Sequence, residues 1–368
     1  MKVLVTGANG FIGKNLVLRL HEEANIEVLL FGRGDTDATL HAAILQADAV
    51  VHLAGENRPA SPDDFEKVNL GLTRQICEVL HSSGKSIPFL LASSEQATLD
   101  NPYGRSKLAA EQVVLKLAQD NGNPVAIYRL PGVFGKWCRP NYNSVVATFC
   151  HNKAHDLPVQ INDANALIRL VHVDDVVCAF LSLLASAWCG LVRPVVAPEY
   201  SITLGELSEQ IDSFKNCRTT LLSERVGTGL SRALYATYVS YLPKDKFSYE
   251  LPVHIDDRGV FVEMLKTPDV GQFSYFTAHP GITRGEHYHH TKTEKFLVIK
   301  GKARFGFRHM LTNELVYLDT TGETPQVVDS VPGWAHNITN IGKDEMVVML
   351  WANEIFDRAN PDTIYSKV

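Results

Sequence analysis

The chain has 368 residues, more than one hydrophobic core usually organises, so two domains are expected. Its 45% apolar and 21% charged residues exclude a disordered chain, and a net charge of −6 excludes general nucleic-acid binding, which needs surplus Lys and Arg against phosphate. The longest apolar runs, such as VVCAFLSLLASAW, are too short to span a bilayer, and six scattered cysteines without a CxxC pair point to neither a thiolate zinc site nor a disulfide framework. With no signal-peptide layout before the first strand, a cytoplasmic enzyme is expected.

Up to about residue 240, apolar strand-like runs alternate with helical stretches. KVLVTG, IEVLLF, ADAVVHLAG, IPFLLASS and PVAIYRLPG read as strands, while FEKVNLGLTRQICEVLHSS and GRSKLAAEQVVLKLAQDNG read as helices by their apolar spacing. Continuous apolar strands alternating with helices predict an α/β domain, a Rossmann-type doubly wound parallel sheet covered on both faces. In VLVTGANGFIGKNLVLRL, Gly7, Gly10 and Gly13 stand where the first strand turns into a helix. Side chains at Gly7 or Gly10 would keep a pyrophosphate from the backbone amides, and Gly13 lets helix and strand approach, so this turn reads as a dinucleotide site.

The second strand ends VLLFGRGD, with Arg33 about where an acid would grip a ribose 2′-hydroxyl. A guanidinium suits a 2′-phosphate instead, which predicts NADPH. Further on, LASSEQA ends a strand with Ser93 and Ser94, and NPYGRSKLAAE places Tyr103 and Lys107 four apart on one helix face. The Lys107 ammonium is expected to lower the Tyr103 phenol, so that Tyr exchanges a proton with a carbonyl oxygen that a serine hydroxyl also holds.

These segments, with HLAG at 52–55, Asn69, RLPGVFG and VHVDD in the same order, resemble the extended short-chain dehydrogenase/reductase family of nucleotide-sugar epimerases, dehydratases and reductases. That resemblance implies Ser94, Tyr103 and Lys107 as the catalytic set, with Ser93 the less favoured hydroxyl. It implies a cofactor site of Gly7, Gly10, Phe11, Ile12, Gly13, Arg33, Leu53, Ala54 and Lys107. The chain departs from the family at Arg169, one position off the arginine that often binds substrate diphosphate.

The N-terminal domain is expected over residues 1–243 and a linker over 244–252. From 253 to 368, short strands with Gly and Pro punctuation and no long helix predict an all-β barrel. In GITRGEHYHHTKTEKFLVIKG, His287 and His289 are two apart and expected on one face of a strand, and Glu294 opens the next strand. PGWAHNITN adds His336. Three imidazoles and a carboxylate inside an apolar barrel suit a divalent metal, Zn²⁺ or Fe(II), whereas His290 and His309 read as structural.

The spacing Gly-x5-His-x-His-x4-Glu-x6-Gly resembles a cupin over residues 253–368. Within it, DDRGVFVE, RGEHYH and GWAH are similar to the sugar-nucleotide 3,5-epimerases acting on 4-keto-6-deoxyhexoses. This implies His287 as the base that removes the proton beside the ketone, with Arg258 and Arg284 near substrate. Those epimerases commonly need no metal, so His287 is open to two roles, ligand and base.

The order of both halves and the ending LWANEIFDRANPDTI are similar to the CapF/WbjC/FnlB family of bacterial capsule and O-antigen biosynthesis. That resemblance implies a homodimeric, bifunctional enzyme using NADPH and Zn²⁺ on a UDP-2-acetamido-2,6-dideoxy-4-hexulose. The cupin would epimerise C3, and the reductase would then reduce C4 to UDP-N-acetyl-L-talosamine, towards N-acetyl-L-fucosamine. Two other classes stay open: a single-activity reductase with a structural or regulatory cupin, and a metal-dependent oxygenase.

Overall fold

The computed structural model describes residues 1–57, 61, 65–252, 254–256, 259–261, 265, 272–354 and 359–368. The chain divides into two compact units, Met1–Ser144 with Ile168–Ser201, and Val145–Leu167 with Ile202–Val368.

The first unit alternates strand and helix: β1 (Lys2–Thr6), α1 (Phe11–His21), β2 (Glu27–Phe31), α2 (Asp37–Gln46), β3 (Ala49–His52), α3 (Leu72–Ser83), β4 (Phe89–Ser94), α4 (Pro102–Asn121), β5 (Val125–Leu130) and β6 (Gly132–Phe134). After α5 (Val145–Ala154) of the second unit come β7 (Leu167–His172), α6 (Val173–Leu184), β8 (Leu191–Val192) and β9 (Tyr200–Thr203). Among the described residues, a six-stranded sheet runs β2-β1-β3-β4-β5-β8 with every pair parallel.

Strand alternation divides the core. Val3 and Val5 pack with Leu16 and Leu20 of α1 and Phe180 of α6, whereas Leu4 packs with Leu40 of α2, Ile76 of α3 and Val114 of α4. Helices therefore cover both faces, as the continuous apolar strands predict. Because β2 and β3 flank β1 on opposite sides, the crevice at the ends of β1 and β3 is the switch point where such sheets hold ligands.

The helical stretch FEKVNLGLTRQICEVLHSS begins as a π turn over Glu66–Gly71 before α3, and this wider turn carries the buried Asn69. Helix α4 starts two residues before the predicted GRSK, because Asn101 accepts a 2.8 Å bond from the Gly104 amide and Pro102 fits the first turn. It ends at Gly122, whose φ of 71° closes the last turn.

In the second unit, α5 packs with α7 (Leu204–Thr220) and α8 (Gly229–Val239). The strands β10 (Ser248–Glu250), β11 (His254–Asp256), β12 (Gly259–Phe261), β13 (Gln272–Ala278), β14 (Thr283–Tyr288), β15 (Glu294–Lys300), β16 (Lys302–His309), β17 (Leu315–Thr321), β18 (Gln326–Asp329), β19 (Trp334–Asn340), β20 (Met346–Ala352) and β21 (Ile364–Tyr365) follow. Among the described residues they form a β11-β12 hairpin and two five-stranded antiparallel sheets, β10-β18-β15-β20-β13 and β17-β16-β19-β14-β21. Phe296 of the first sheet meets Phe305 and His336 of the second at 5.6 and 5.8 Å between ring centroids, so the two inner faces share a core, in the manner of a cupin.

The stretch expected as a linker, 244–252, is instead part of this unit. β10 pairs with β18, and Phe247 is buried edge-on to Phe307 and Trp334. The compact units also group α7 and α8 with the barrel, where the sequence places them in an N-terminal domain of 1–243. A three-residue strand is too short to show a period of two, and ion pairs such as Arg218–Asp329 join residues too far apart for any local pattern to reveal.

Candidate cofactor and metal sites

The first site is built on backbone. Gly7 has φ +70°, and a Cβ there would lie 2.7 Å from the Ala54 nitrogen and 3.0 Å from the Leu53 carbonyl carbon, so only glycine lets the ends of β1 and β3 meet. A Cβ on Gly13 would lie 2.2 Å from the Gly7 oxygen. Gly10 caps α1 without a side chain, and no acid occupies the first turn that Phe11 and Ile12 begin. The open amides and the positive helix end thus face the crevice, which suits a pyrophosphate. Arg33 follows β2, is 90% exposed, and donates to Glu56 at 2.9 Å. The other Glu56 oxygen accepts from the Tyr142 hydroxyl at 2.7 Å.

Beside this turn, the two serines of β4 part company. Ser93 donates to Glu111 at 2.6 Å, and Glu111 is clamped by Arg129, so Ser93 is spent on the core. The Ser94 hydroxyl accepts from the Gln96 amide at 3.2 Å and hydrogen-bonds the Tyr103 phenol. What brings Tyr103 there is Gly104: a Cβ would sit 2.3 Å from the Gln96 oxygen and 2.4 Å from the Leu99 oxygen, so α4 can press onto this turn only at a glycine.

Lys107 lies one turn on, its Nζ bonded to the Ala92 oxygen at 3.1 Å and 5.9 Å from the Tyr103 ring centroid. Burial lowers the Lys107 ammonium to about 8, with Glu111 opposing the shift. The expected lowering of the Tyr103 phenol is not found. Burial pushes it up, the Ser94 bond offsetting part of that, so Tyr103 holds its proton at neutral pH.

A chain of buried hydrogen bonds supports this set. Thr73 donates to the Asn69 oxygen at 2.6 Å, which leaves His52 Nε2 to donate to Thr73 at 2.9 Å and His52 Nδ1 to accept from Thr6 at 2.6 Å. His52 is neutral, held down to about 3 by burial and by Lys107. Asn69 in turn accepts from the Glu56 amide and donates to Ser106, which donates to the Tyr103 carbonyl. Arg169 is taken up by Glu199 and Glu95.

The second site is built on side chains. One donor atom from each of His287, His289, Glu294 and His336 lies within 4.8 Å of the others. Glu294 Oε2 is 3.1 Å from His289 Nε2, 3.3 Å from His336 Nε2 and 3.9 Å from His287 Nε2. Burial alone would raise the Glu294 carboxyl, but the imidazoles hold it well below the ordinary range. Burial lowers His336 to about 4, against the pull of Glu294. Three imidazole nitrogens and one carboxylate oxygen at this separation fit a tetrahedral divalent ion.

His289 stands just past the end of β14 rather than on the strand with His287. A bulge at Glu286, with φ 61°, shifts the register between Gly285 and His287. The register sets His287 opposite His336 and Arg284 opposite Ile338, so Arg284 and His287 share a face although they are three positions apart. Arg284 is exposed, stacked 5.0 Å over the Phe276 ring. Arg258 lies outside the described residues. His309 accepts from the Leu311 and Thr312 amides, a structural role as expected.

Sequence reasoning missed two residues here. Lys292 Nζ holds the other Glu294 oxygen at 2.9 Å, and Asp362 binds the loop after His289 from 70 or more residues away. Lys292 stands only two residues before Glu294 in the sequence, whereas no local signal pointed to Asp362.

Comparison with known proteins agrees with both halves. Residues 3–189 match the NAD dependent epimerase/dehydratase family, and residues 254–364 match the polysaccharide biosynthesis C-terminal domain. The chain is 57% identical over 363 residues to the UDP-2-acetamido-2,6-beta-L-arabino-hexul-4-ose reductase of Pseudomonas aeruginosa, covering 99% of this chain and 98% of that one. The capsular polysaccharide assembling protein CapF from Staphylococcus aureus superposes with a TM-score of 0.69 at 42% identity, covering 100% of both chains. A UDP-glucose 4-epimerase from Thermotoga maritima, at 21% identity and a TM-score of 0.53 over 59% of this chain and 83% of that one, shares the fold of the first half. The chain belongs to the NAD dependent epimerase/dehydratase family, in its CapF/WbjC/FnlB branch with a polysaccharide biosynthesis C-terminal domain.

Proposed function

We propose that the chain is a bifunctional nucleotide-sugar enzyme that epimerises C3 of a UDP-2-acetamido-2,6-dideoxy-4-hexulose and then reduces its C4 ketone to UDP-N-acetyl-L-talosamine. The observation that carries this reading is the joining of both sites in one chain that is alike over its full length to a hexul-4-ose reductase. Removal of the C3 proton is feasible only beside a carbonyl, so epimerisation comes first.

In the reduction, Ser94 holds the C4 oxygen by its hydroxyl and Tyr103, kept protonated by burial, gives that oxygen its proton. Lys107 stands beside Tyr103 and binds the nicotinamide ribose. Gly7, Gly10, Phe11, Ile12, Gly13, Leu53 and Ala54 would hold NADPH, which would supply the hydride. Arg33, whose 90% exposure leaves the guanidinium accessible, would take up its 2′-phosphate.

In the epimerisation, His287 removes the C3 proton and the sugar is reprotonated on its other face. His287 suits this because its side chain is 24% exposed, against 1%, 6% and 3% for His289, Glu294 and His336. Arg258 and Arg284 bind substrate. His289, Glu294 and His336 would hold Zn²⁺, which leaves the more exposed His287 to act as the base, and the ion would supply a Lewis acid for the oxygen beside C3. The reductive site falls in the first compact unit and the metal site in the second, and the reading takes the chain as a cytoplasmic homodimer.

The test is metal analysis of the purified protein, together with product analysis after reaction with the 4-keto sugar and NADPH. The reading expects bound zinc and a product inverted at C3 and reduced at C4. Reduction without inversion would leave a single-activity reductase with a structural or regulatory cupin.

A further inference from the structure

The two strands that carry the metal donors are joined by residues 289–293, and this connection has little regular structure of its own. Yet His289, His290, Thr291, Lys292 and Thr293 are all buried. Backbone amides buried in a loop need acceptors, and most of these find theirs on a single side chain. Asp362 Oδ1 accepts from the His290 amide at 2.8 Å, and Oδ2 accepts from the Thr291 and Lys292 amides at 2.7 Å each and from the Thr291 hydroxyl at 3.1 Å.

The same residue reaches the metal cluster by its backbone. The Asp362 carbonyl lies 2.5 Å from His289 Nδ1, so that nitrogen donates to it and Nε2 is left to face the cluster, 3.1 Å from Glu294 Oε2. His336 Nδ1, by contrast, is buried with no partner among the described residues. The loop that Asp362 fixes also carries Lys292, whose ammonium holds the Glu294 oxygen turned away from the imidazoles. One residue thus sets the orientation of one donor directly and supports the partner of another.

The segment after Asp362 is fastened independently. β21 pairs with β14 beside His287 and Tyr288, the Ser366 amide donates to the Glu286 carbonyl at 2.8 Å, and the Val368 amide donates to the Glu286 carboxylate at 2.9 Å. Arg308 donates to the Ser366 hydroxyl and the Lys367 carbonyl, each at 2.7 Å. Asp362 is therefore delivered to the metal loop by a strand that is already part of the barrel.

We propose that Asp362 is a positioning residue of the metal site, its carboxylate fixing the loop between the ligand strands and its carbonyl fixing the tautomer and plane of His289. The proposal rests on the reading of the cluster as a zinc site. Groups in this position typically govern metal affinity by about 10–100-fold, because they fix the geometry of the ligand rather than touch the ion.

The test measures zinc affinity of the full chain by competition with a chromophoric chelator, for wild type, Asp362→Ala and Asp362→Asn, with circular dichroism and the thermal midpoint as controls for folding and NADPH binding as the control for the first unit. Co²⁺ absorption spectra of the loaded proteins report donor geometry. Asp362→Ala is expected to weaken zinc binding about 10–100-fold and to alter the Co²⁺ bands, with NADPH affinity unchanged. Asp362→Asn, which keeps the carbonyl and one side-chain acceptor, is expected to fall between. Zinc affinity and Co²⁺ bands of wild-type character in the variants would overturn the proposal, and if Asp362→Ala does not fold, Asp362→Asn decides it. Wild-type protein that takes up no zinc would instead end the metal reading itself.

Discussion

The two sites of this chain are made from different materials. The cofactor crevice is shaped by backbone and by close approach: Gly7 against Leu53 and Ala54, Gly13 against Gly7, Gly104 against the turn after β4. The metal cluster is shaped by buried charge, with one carboxylate held among three imidazoles and one ammonium. A site made of glycines is written in consecutive residues. A site made of buried charge needs partners that only the tertiary fold supplies, because an unpaired buried carboxylate costs on the order of several kcal/mol.

The comparison can be broken most severely at the reductive site. Tyr103→Phe removes the proton donor and leaves the packing, so NADPH oxidation should fall by about 10²–10⁴ while the metal cluster and its chemistry are untouched. A loss of only a few-fold in steady-state NADPH oxidation would remove Tyr103 from that role.

Next in size is the pH response. Lys107 is lowered to about 8 by burial, so its ammonium is present below that pH and lost above it. The reductive kcat/KM should therefore decline as pH rises through about 8, by roughly tenfold per unit where the ammonium is required. C3 exchange, which does not use Lys107, should show no such limb, and rate profiles of the two activities on one preparation compare them directly.

A smaller effect tests whether close approach matters as much as chemistry. Gly104→Ala places a methyl against two backbone oxygens, and overpacking of this kind costs about 1–3 kcal/mol. The substitution should lower both the thermal midpoint and NADPH oxidation with zinc content unchanged. Smallest is Arg33→Ala, an exposed guanidinium whose loss should narrow the preference for NADPH over NADH by about tenfold or less. Equal kcat/KM for both cofactors in the wild type would contradict that role.

How much was legible in the sequence follows the same division. The parallel sheet, the glycine turn and the Tyr103–Lys107 face could be read because each lies within one strand, turn or helix. The four metal donors could be read because three fall within eight residues, 287–294, and the fourth lies in GWAH. The direction of the Tyr103 shift could not, since burial outweighs the Ser94 hydrogen bond and burial is a property of the fold. Asp362, the bulge that turns Arg284 to the face of His287, and β10 within the expected linker were equally out of reach. Each depends on a partner tens of residues away or on a single extra residue that breaks a period of two.

The central claim is that two separable chemistries reside in one chain, and solvent deuterium exchange tests it most directly. Wild-type protein without NADPH, incubated with the 4-keto sugar nucleotide in D₂O, should incorporate deuterium at C3, as should Tyr103→Phe. His289→Ala should lose both zinc and this exchange while binding NADPH as before. Exchange that appears only when NADPH is added, or that vanishes in Tyr103→Phe and persists at the wild-type rate in zinc-free His289→Ala, would contradict the account.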